Sequence, residues 1–221
     1  MRFAEPHWEA GVEIVGLHWL LVSPKGLYIN HPDDAIRLRT QEYMIALIAL
    51  CSDLGGKVMV VGSPKQRDVL EGQTLRDTWE RTLDVFGACV PVAERSGVTL
   101  CLEPLDGAQT QFITDTAQAL RMVEEIAHPN FQTMVDVRSA CFGERETIPE
   151  VIFRVKDHLR HFHANDANGL GPGFGKVDYG PIAASLEEAG YQGFASVEVF
   201  DFTPGPKEIA SKSLTYLRKF L

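Results

Sequence analysis

What most constrains this chain is a set of short, almost wholly apolar runs set between longer helical stretches. KVMVV (57–61), TLCLE (99–103), QTMVD (132–136) and FASVEV (194–199) are the clearest. A strand with one face in water alternates apolar and polar residues, so a continuous apolar run implies burial on both faces. Such strands, each followed by a helix, form a parallel sheet, because a parallel connection needs a crossover long enough to hold a helix. Strands are predicted over Val12–Leu21, Lys57–Val61, Thr99–Glu103, Gln132–Asp136, Leu159–His163 and Ala195–Val199. Helices are predicted over Pro32–Leu54, Thr74–Ser96, Thr114–Ala127, Ile148–His158, Gly180–Ala189 and Lys207–Phe220. Asp33 and Thr114 read as N-caps; Gly55, Gly97 and Gly190 read as helix stops.

Six strands and six helices leave an open doubly wound sheet or a barrel. The dinucleotide fingerprint of the open sheet is missing. GLGPGFG (169–175) follows a strand, but it opens no long helix and no ribose-binding acid follows it. It reads instead as a flexible active-site loop, or equally as a loop with no chemical role. With 221 residues and no linker or low-complexity stretch, the chain fits a single domain. Its formal charge of -9 opposes a nucleic-acid or anionic-membrane partner. No apolar run is long enough to span a bilayer, and the N-terminus has no signal-peptide layout, so a cytoplasmic location is expected. The four cysteines, Cys51, Cys89, Cys101 and Cys141, form no CxxC pair and read as reduced structural thiols.

The chemistry lies in where the acids and histidines fall. Glu103 ends TLCLE, Asp136 ends QTMVD, His163 ends LRHFH, and Glu198 lies next to the end of ASVEV. Each alone has an ordinary explanation, as a solvated loop acid, a turn cap or a hydrogen-bonded core histidine. Together they place one ionisable group at the carboxyl end of each of four successive strands. In a parallel barrel those ends converge on one face. A buried charge needs a partner, and a shared cation supplies one. Three carboxylates and an imidazole suit Mn²⁺, Mg²⁺ or Co²⁺ better than a structural Zn²⁺, although Zn²⁺ is also compatible. Such an ion leaves positions for two oxygens of a vicinal hydroxy-ketone and stabilises the enediolate formed on proton loss. Glu103 and Glu198 are the candidate acid/base pair.

GLHWLL (16–21), GSPKQR (62–67), LEPL (102–105), VD (135–136), HFHAND (161–166), GPGFGKVDY (171–179) and GYQGFASVEV (190–199) occur in an order that resembles the sugar phosphate isomerase/epimerase family. That family has the xylose-isomerase-like TIM barrel fold, and the resemblance is nearest to its ketose 3-epimerases. It implies a divalent ion held by Glu103, Asp136, His163 and Glu198, with the two glutamates as acid and base. Two departures stand out. The epimerases often carry a His three residues after the Asp to hold substrate; here that position is Ser139, so Arg138 partly replaces it or the substrate differs. The resemblance also makes the LEP strand the fifth of eight, yet only two strand candidates precede it. The first two βα units are therefore expected to be missing, with RFAEPHWEAG (2–11) a remnant of the second helix. A start site downstream of the true one, or a shortened form whose open edge beside GLHWLL is covered by a partner chain, would account for this.

Further substrate contacts are expected from His18, Trp19, Lys65, Arg67, Arg138 and His161. Lys65 and Arg67 carry charge for a phosphate or carboxylate, and the aromatic ring of Trp19 is suited to stack on a sugar. His161 shares a strand face with His163, two residues away. The expected activity is isomerisation or epimerisation of a small sugar, keto-sugar or sugar phosphate by a homo-oligomer, dimer or tetramer. A lyase or dehydratase acting on a keto-sugar or inosose would use the same residues, and a truncated non-catalytic sugar-binding relative would keep the ligands without turnover. An apurinic endonuclease would need a His-rich zinc cluster and a basic groove.

Overall fold

The computed structural model describes residues 11–221. RFAEPHWEAG, expected to be a helix remnant, lies outside the described residues except for Gly11. The strands are β1 (Gly16–Leu17), β2 (Val58–Val61), β3 (Thr99–Leu102), β4 (Phe131–Asp136), β5 (Leu159–Ala164) and β6 (Ala195–Val197). The α-helices are α1 (Asp34–Asp53), α2 (Leu75–Ser96), α3 (Thr116–Ile126), α4 (Val137–Gly143), α5 (Ile148–Val155), α6 (Tyr179–Glu188) and α7 (Pro206–Leu217). The chain divides into two compact units. The first takes the described residues up to Leu102 with Ala108–Phe112 and Arg121–Gln132. The second takes Glu103–Gly107, Ile113–Leu120 and Thr133–Leu221.

In the first unit β1, β2 and β3 run parallel, with Gly16 beside Val58 and Val60 beside Cys101. Helix α1 starts where Asp33 accepts a hydrogen bond from the Ala35 N–H at 2.8 Å. It buries Met44, Ile48 and Cys51 at helical spacing. Helix α2 starts where Thr74 accepts from the Asp77 N–H and stops at Gly97, whose φ of 63° an L side chain rarely adopts. Val85, Phe86, Cys89, Val90 and Ala93 form its buried face. Each large apolar side chain buried this way stabilises the fold by roughly 1.5–3 kcal/mol. Strand β1 is far shorter than Val12–Leu21. Trp19, at φ 57°, leaves the extended region, and the Leu21 N–H turns to the Ser63 hydroxyl, 3.2 Å away. Glycine at 16 is a steric necessity, since a Cβ there would sit 2.0 Å from the Val58 carbonyl oxygen.

In the second unit β5 lies between β4 and β6, all parallel, with Asp136 beside His163 and His163 beside Ser196. Val135, Val151, Ile152, Val155, Phe162 and Leu186 belong to one core under these strands. Helix α5 carries a reciprocal cap between Thr147 and Glu150. Three expectations change here. Helix α3 begins at Thr116, capped by the Asp115 carboxylate, which accepts from the Gln118 N–H at 2.8 Å; the Thr114 hydroxyl accepts from the Gln118 side chain instead. Helix α4 is an additional helix, seven residues long and too short to show a period of its own. The segment 169–175 is packed rather than loose. A Cβ at Gly171, Gly173 or Gly175 would collide with Ser213, Tyr216 or Asp166, at 2.2, 2.8 and 2.0 Å. Among the described residues no disulfide forms; Cys51, Cys89 and Cys101 are buried and Cys141 is exposed. No described helix is long and apolar enough to cross a membrane.

Candidate active site

The second unit brings Glu103, Asp136, His163 and Glu198 to one point. Glu103 follows β3 directly, Asp136 is the last residue of β4, His163 is the penultimate residue of β5, and Glu198 follows β6. Their convergence is a consequence of register. Asp136 and His163 are lateral neighbours across β4 and β5, and one strand further on β6 delivers Glu198. The His163 Nδ1 atom lies 2.9 Å from Glu103 Oε1, 3.1 Å from Glu198 Oε2 and 3.7 Å from Asp136 Oδ2. One ligand atom from each of Glu103, His163 and Glu198 falls within 4.8 Å of the others. Glu103, Asp136 and His163 are each no more than 3% exposed.

So much buried negative charge has electrostatic consequences. Burial first, then the charges of Glu103 and Glu198, push the Asp136 carboxyl up to about 7. Burial alone would depress the His163 imidazole, but the Glu103 and Glu198 carboxylates outweigh it and hold it well above its ordinary value. Even a protonated His163 balances only one of three carboxylates. The excess charge, the oxygen-rich donors and their mutual spacing all fit a divalent cation.

The surrounding residues hold the donors in place. Asp136 doubles as the N-cap of α4, its Oδ1 accepting from the Ser139 N–H at 2.6 Å. Its Oδ2 accepts from the Asn165 side-chain amide at 2.5 Å. His161 is buried edge-on to His163, ring centres 5.1 Å apart. Arg138 reaches Asp106 at 3.3 Å and lies over the Phe142 and Phe200 rings. Asp106, Arg138 and Phe200 stand two or three residues beyond Glu103, Asp136 and Glu198 respectively.

The profile of xylose isomerase-like TIM barrels matches residues 3–220. The chain belongs to that family. A D-psicose 3-epimerase of Ruminiclostridium cellulolyticum is 29% identical over 122 residues, covering 55% of this chain and 41% of that protein. An L-ribulose 3-epimerase of Mesorhizobium japonicum is 27% identical over 173 residues, covering 78% of this chain and 58% of that protein. The chain thus spans about half the length of these curated relatives. The crystal structure of an E. coli 3-keto-D-glucoside 4-epimerase in its apo form superposes with a TM-score of 0.86 at 22% identity, over 96% of this chain and 81% of that one. The fold is that of a TIM barrel, with six strands rather than eight among the described residues.

Within this xylose isomerase-like framework the remaining predicted contacts lie in the first unit. His18 and Trp19 are exposed just beyond β1, their rings edge to face at 6.0 Å. Lys65 is exposed on a single 3₁₀ turn, Pro64–Gln66. Arg67 is buried, with Nη1 donating to the Val61 carbonyl at 3.2 Å. Asn165 and Asp166, inside the HFHAND motif, received no role from the sequence. Asp166 accepts from the Lys176 and Val177 N–H groups, at 3.2 and 3.3 Å, and so anchors the glycine-rich segment. A signal for Asn165 was available: with a period of two, His161, His163 and Asn165 share one face.

Proposed function

We propose that this chain carries the catalytic centre of a divalent-metal-dependent epimerase or isomerase acting on a small sugar, keto-sugar or sugar phosphate. The observation that carries this reading is the approach of three carboxylates, those of Glu103 and Asp136 buried and that of Glu198 partly so, within 3.7 Å of a single imidazole nitrogen. Relatives named as 3-epimerases of D-psicose and L-ribulose support it.

Glu103, Asp136, His163 and Glu198 would hold the ion, with Mn²⁺, Mg²⁺ or Co²⁺ best suited to so many oxygen donors. When bound, it supplies Lewis acidity to adjacent carbonyl and hydroxyl oxygens of the substrate. Glu103 and Glu198 come from different strand ends and do the proton chemistry. One carboxylate takes the proton from the carbon beside the carbonyl, and the electron pair of the broken C–H bond moves toward the carbonyl oxygen. The other returns a proton to the opposite face of the same carbon, which inverts it. Arg138, steadied by Asp106 and two phenylalanine rings, is the residue of this unit best placed to hold substrate hydroxyls.

The test is deuterium incorporation. The protein is incubated with Mn²⁺ and a panel of ketoses, ketose phosphates and inososes in D₂O and followed by NMR. The expected result is exchange at a carbon next to the carbonyl, abolished by chelator and by Glu198→Gln. Metal-loaded protein that exchanges nothing across the panel would overturn the proton-transfer reading, and net loss of water would make the enzyme a dehydratase.

A further inference from the structure

Asn165 sits one residue beyond β5, wholly buried, with both ends of its side-chain amide and its backbone carbonyl engaged. Its Oδ1 accepts from the Arg138 backbone N–H at 2.7 Å, and its Nδ2 donates to Asp136 Oδ2 at 2.5 Å. Its own carbonyl accepts from the Tyr179 hydroxyl at 2.8 Å. The amide cannot be reversed. A backbone N–H only donates, so the atom facing Arg138 must be the oxygen, and the NH₂ is thereby aimed at the carboxylate.

We infer that Asn165 is the positioning residue for Asp136, fixing the rotation of its carboxylate so that one defined oxygen edge faces the ligand cluster. The inference rests on the metal reading above. Asp136 would otherwise be anchored at one oxygen alone, by the Ser139 N–H, and free to rotate about that bond. With Asn165 in place both oxygens are held: Oδ1 by the first turn of α4, Oδ2 by the end of β5. Arg138 and Ser139 belong to that same turn, so the amide registers the start of α4 against β5 as well as orienting the carboxylate. The position requires an acceptor for Arg138 and a donor for Asp136 on one short planar group, and asparagine alone supplies both. Aspartate would set two carboxylates 2.5 Å apart, and serine is too short to bridge.

The experiment compares the full chain with Asn165→Ala, Asn165→Ser and Ser185→Ala. Ser185 donates to the Pro149 carbonyl at 3.1 Å, away from the ligands, and serves as the control for simple destabilisation. Mn²⁺ affinity is measured by calorimetry, and the ligand field is read from the visible absorption of the Co²⁺-loaded protein. Removing such an outer partner is expected to weaken Mn²⁺ binding about 10–100-fold and to alter the Co²⁺ spectrum. Ser185→Ala lowers the melting temperature but leaves affinity and spectrum unchanged. If either folded Asn165 variant binds Mn²⁺ within about twofold of the parent with an unaltered Co²⁺ spectrum, the inference fails and the metal reading stands. If the parent chain itself binds neither ion, the metal reading fails and takes the inference with it.

Discussion

At the scale of single residues, His163 shows how function is set against stability. Three carboxylates share one imidazole inside the second unit, an arrangement that favours a cation and burdens the protein without one. Removing one of those charges should relieve the burden. Glu198→Gln is expected to stabilise the metal-free protein by about 1 kcal/mol, within the range typical of relaxed functional sites, while abolishing deuterium exchange. Urea unfolding at neutral pH with chelator present measures this. A variant less stable than its parent would show that Glu198 contributes more through its 3.1 Å approach to His163 than it costs through repulsion. The four cluster residues were legible because each stands at the carboxyl end of one of four successive strand candidates, a recurrence that packing alone does not explain. For Asn165 the period of two placed the residue on the His161–His163 face but left its role illegible. Its role depends on a donor from α4 and an acceptor from β4, neither of which is near it in sequence.

At the scale of elements, the glycine-rich segment is the clearest departure from expectation. Clustered glycines read as flexibility, but here several mark close approaches to Asp166, Ser213 and Tyr216. Gly175→Ala would place a methyl 2.0 Å from Asp166 Oδ1, displacing the carboxylate that holds the Lys176 and Val177 amides. Overpacking of this kind costs about 1–3 kcal/mol. Gly107→Ala, with no heavy atom within 4 Å of the new Cβ, is the matched control and should change stability by less than about 0.5 kcal/mol. Equal effects in thermal unfolding would mean that the segment is not held through Asp166. Helix α4 teaches a related point. Asp136 ends a strand, caps the next helix and stands among the candidate ligands at once, and no periodicity in seven residues could reveal that.

At the scale of the molecule, a ligand that binds only the folded state adds stability in proportion to its excess over Kd. Mn²⁺ at a hundredfold excess should add about 2.7 kcal/mol against unfolding, and chelator should remove it. Differential scanning calorimetry with and without the ion checks this, and a melting temperature indifferent to Mn²⁺, Mg²⁺ and Co²⁺ would argue against a resident metal. The sequence by itself determined the strand–helix alternation, the parallel pairing it demands and the strand ends that carry ionisable groups. These are local: apolar runs report burial, caps and glycines report boundaries, and a lone charge after an apolar run reports a function for that charge. Only the tertiary structure decided the lengths of the first and last strands, the packing of the glycine-rich segment, the extra helix after Asp136 and the partners of Asn165. Each of these depends on contacts between segments far apart in the chain, and pattern along one strand or helix carries no record of what will lie across from it.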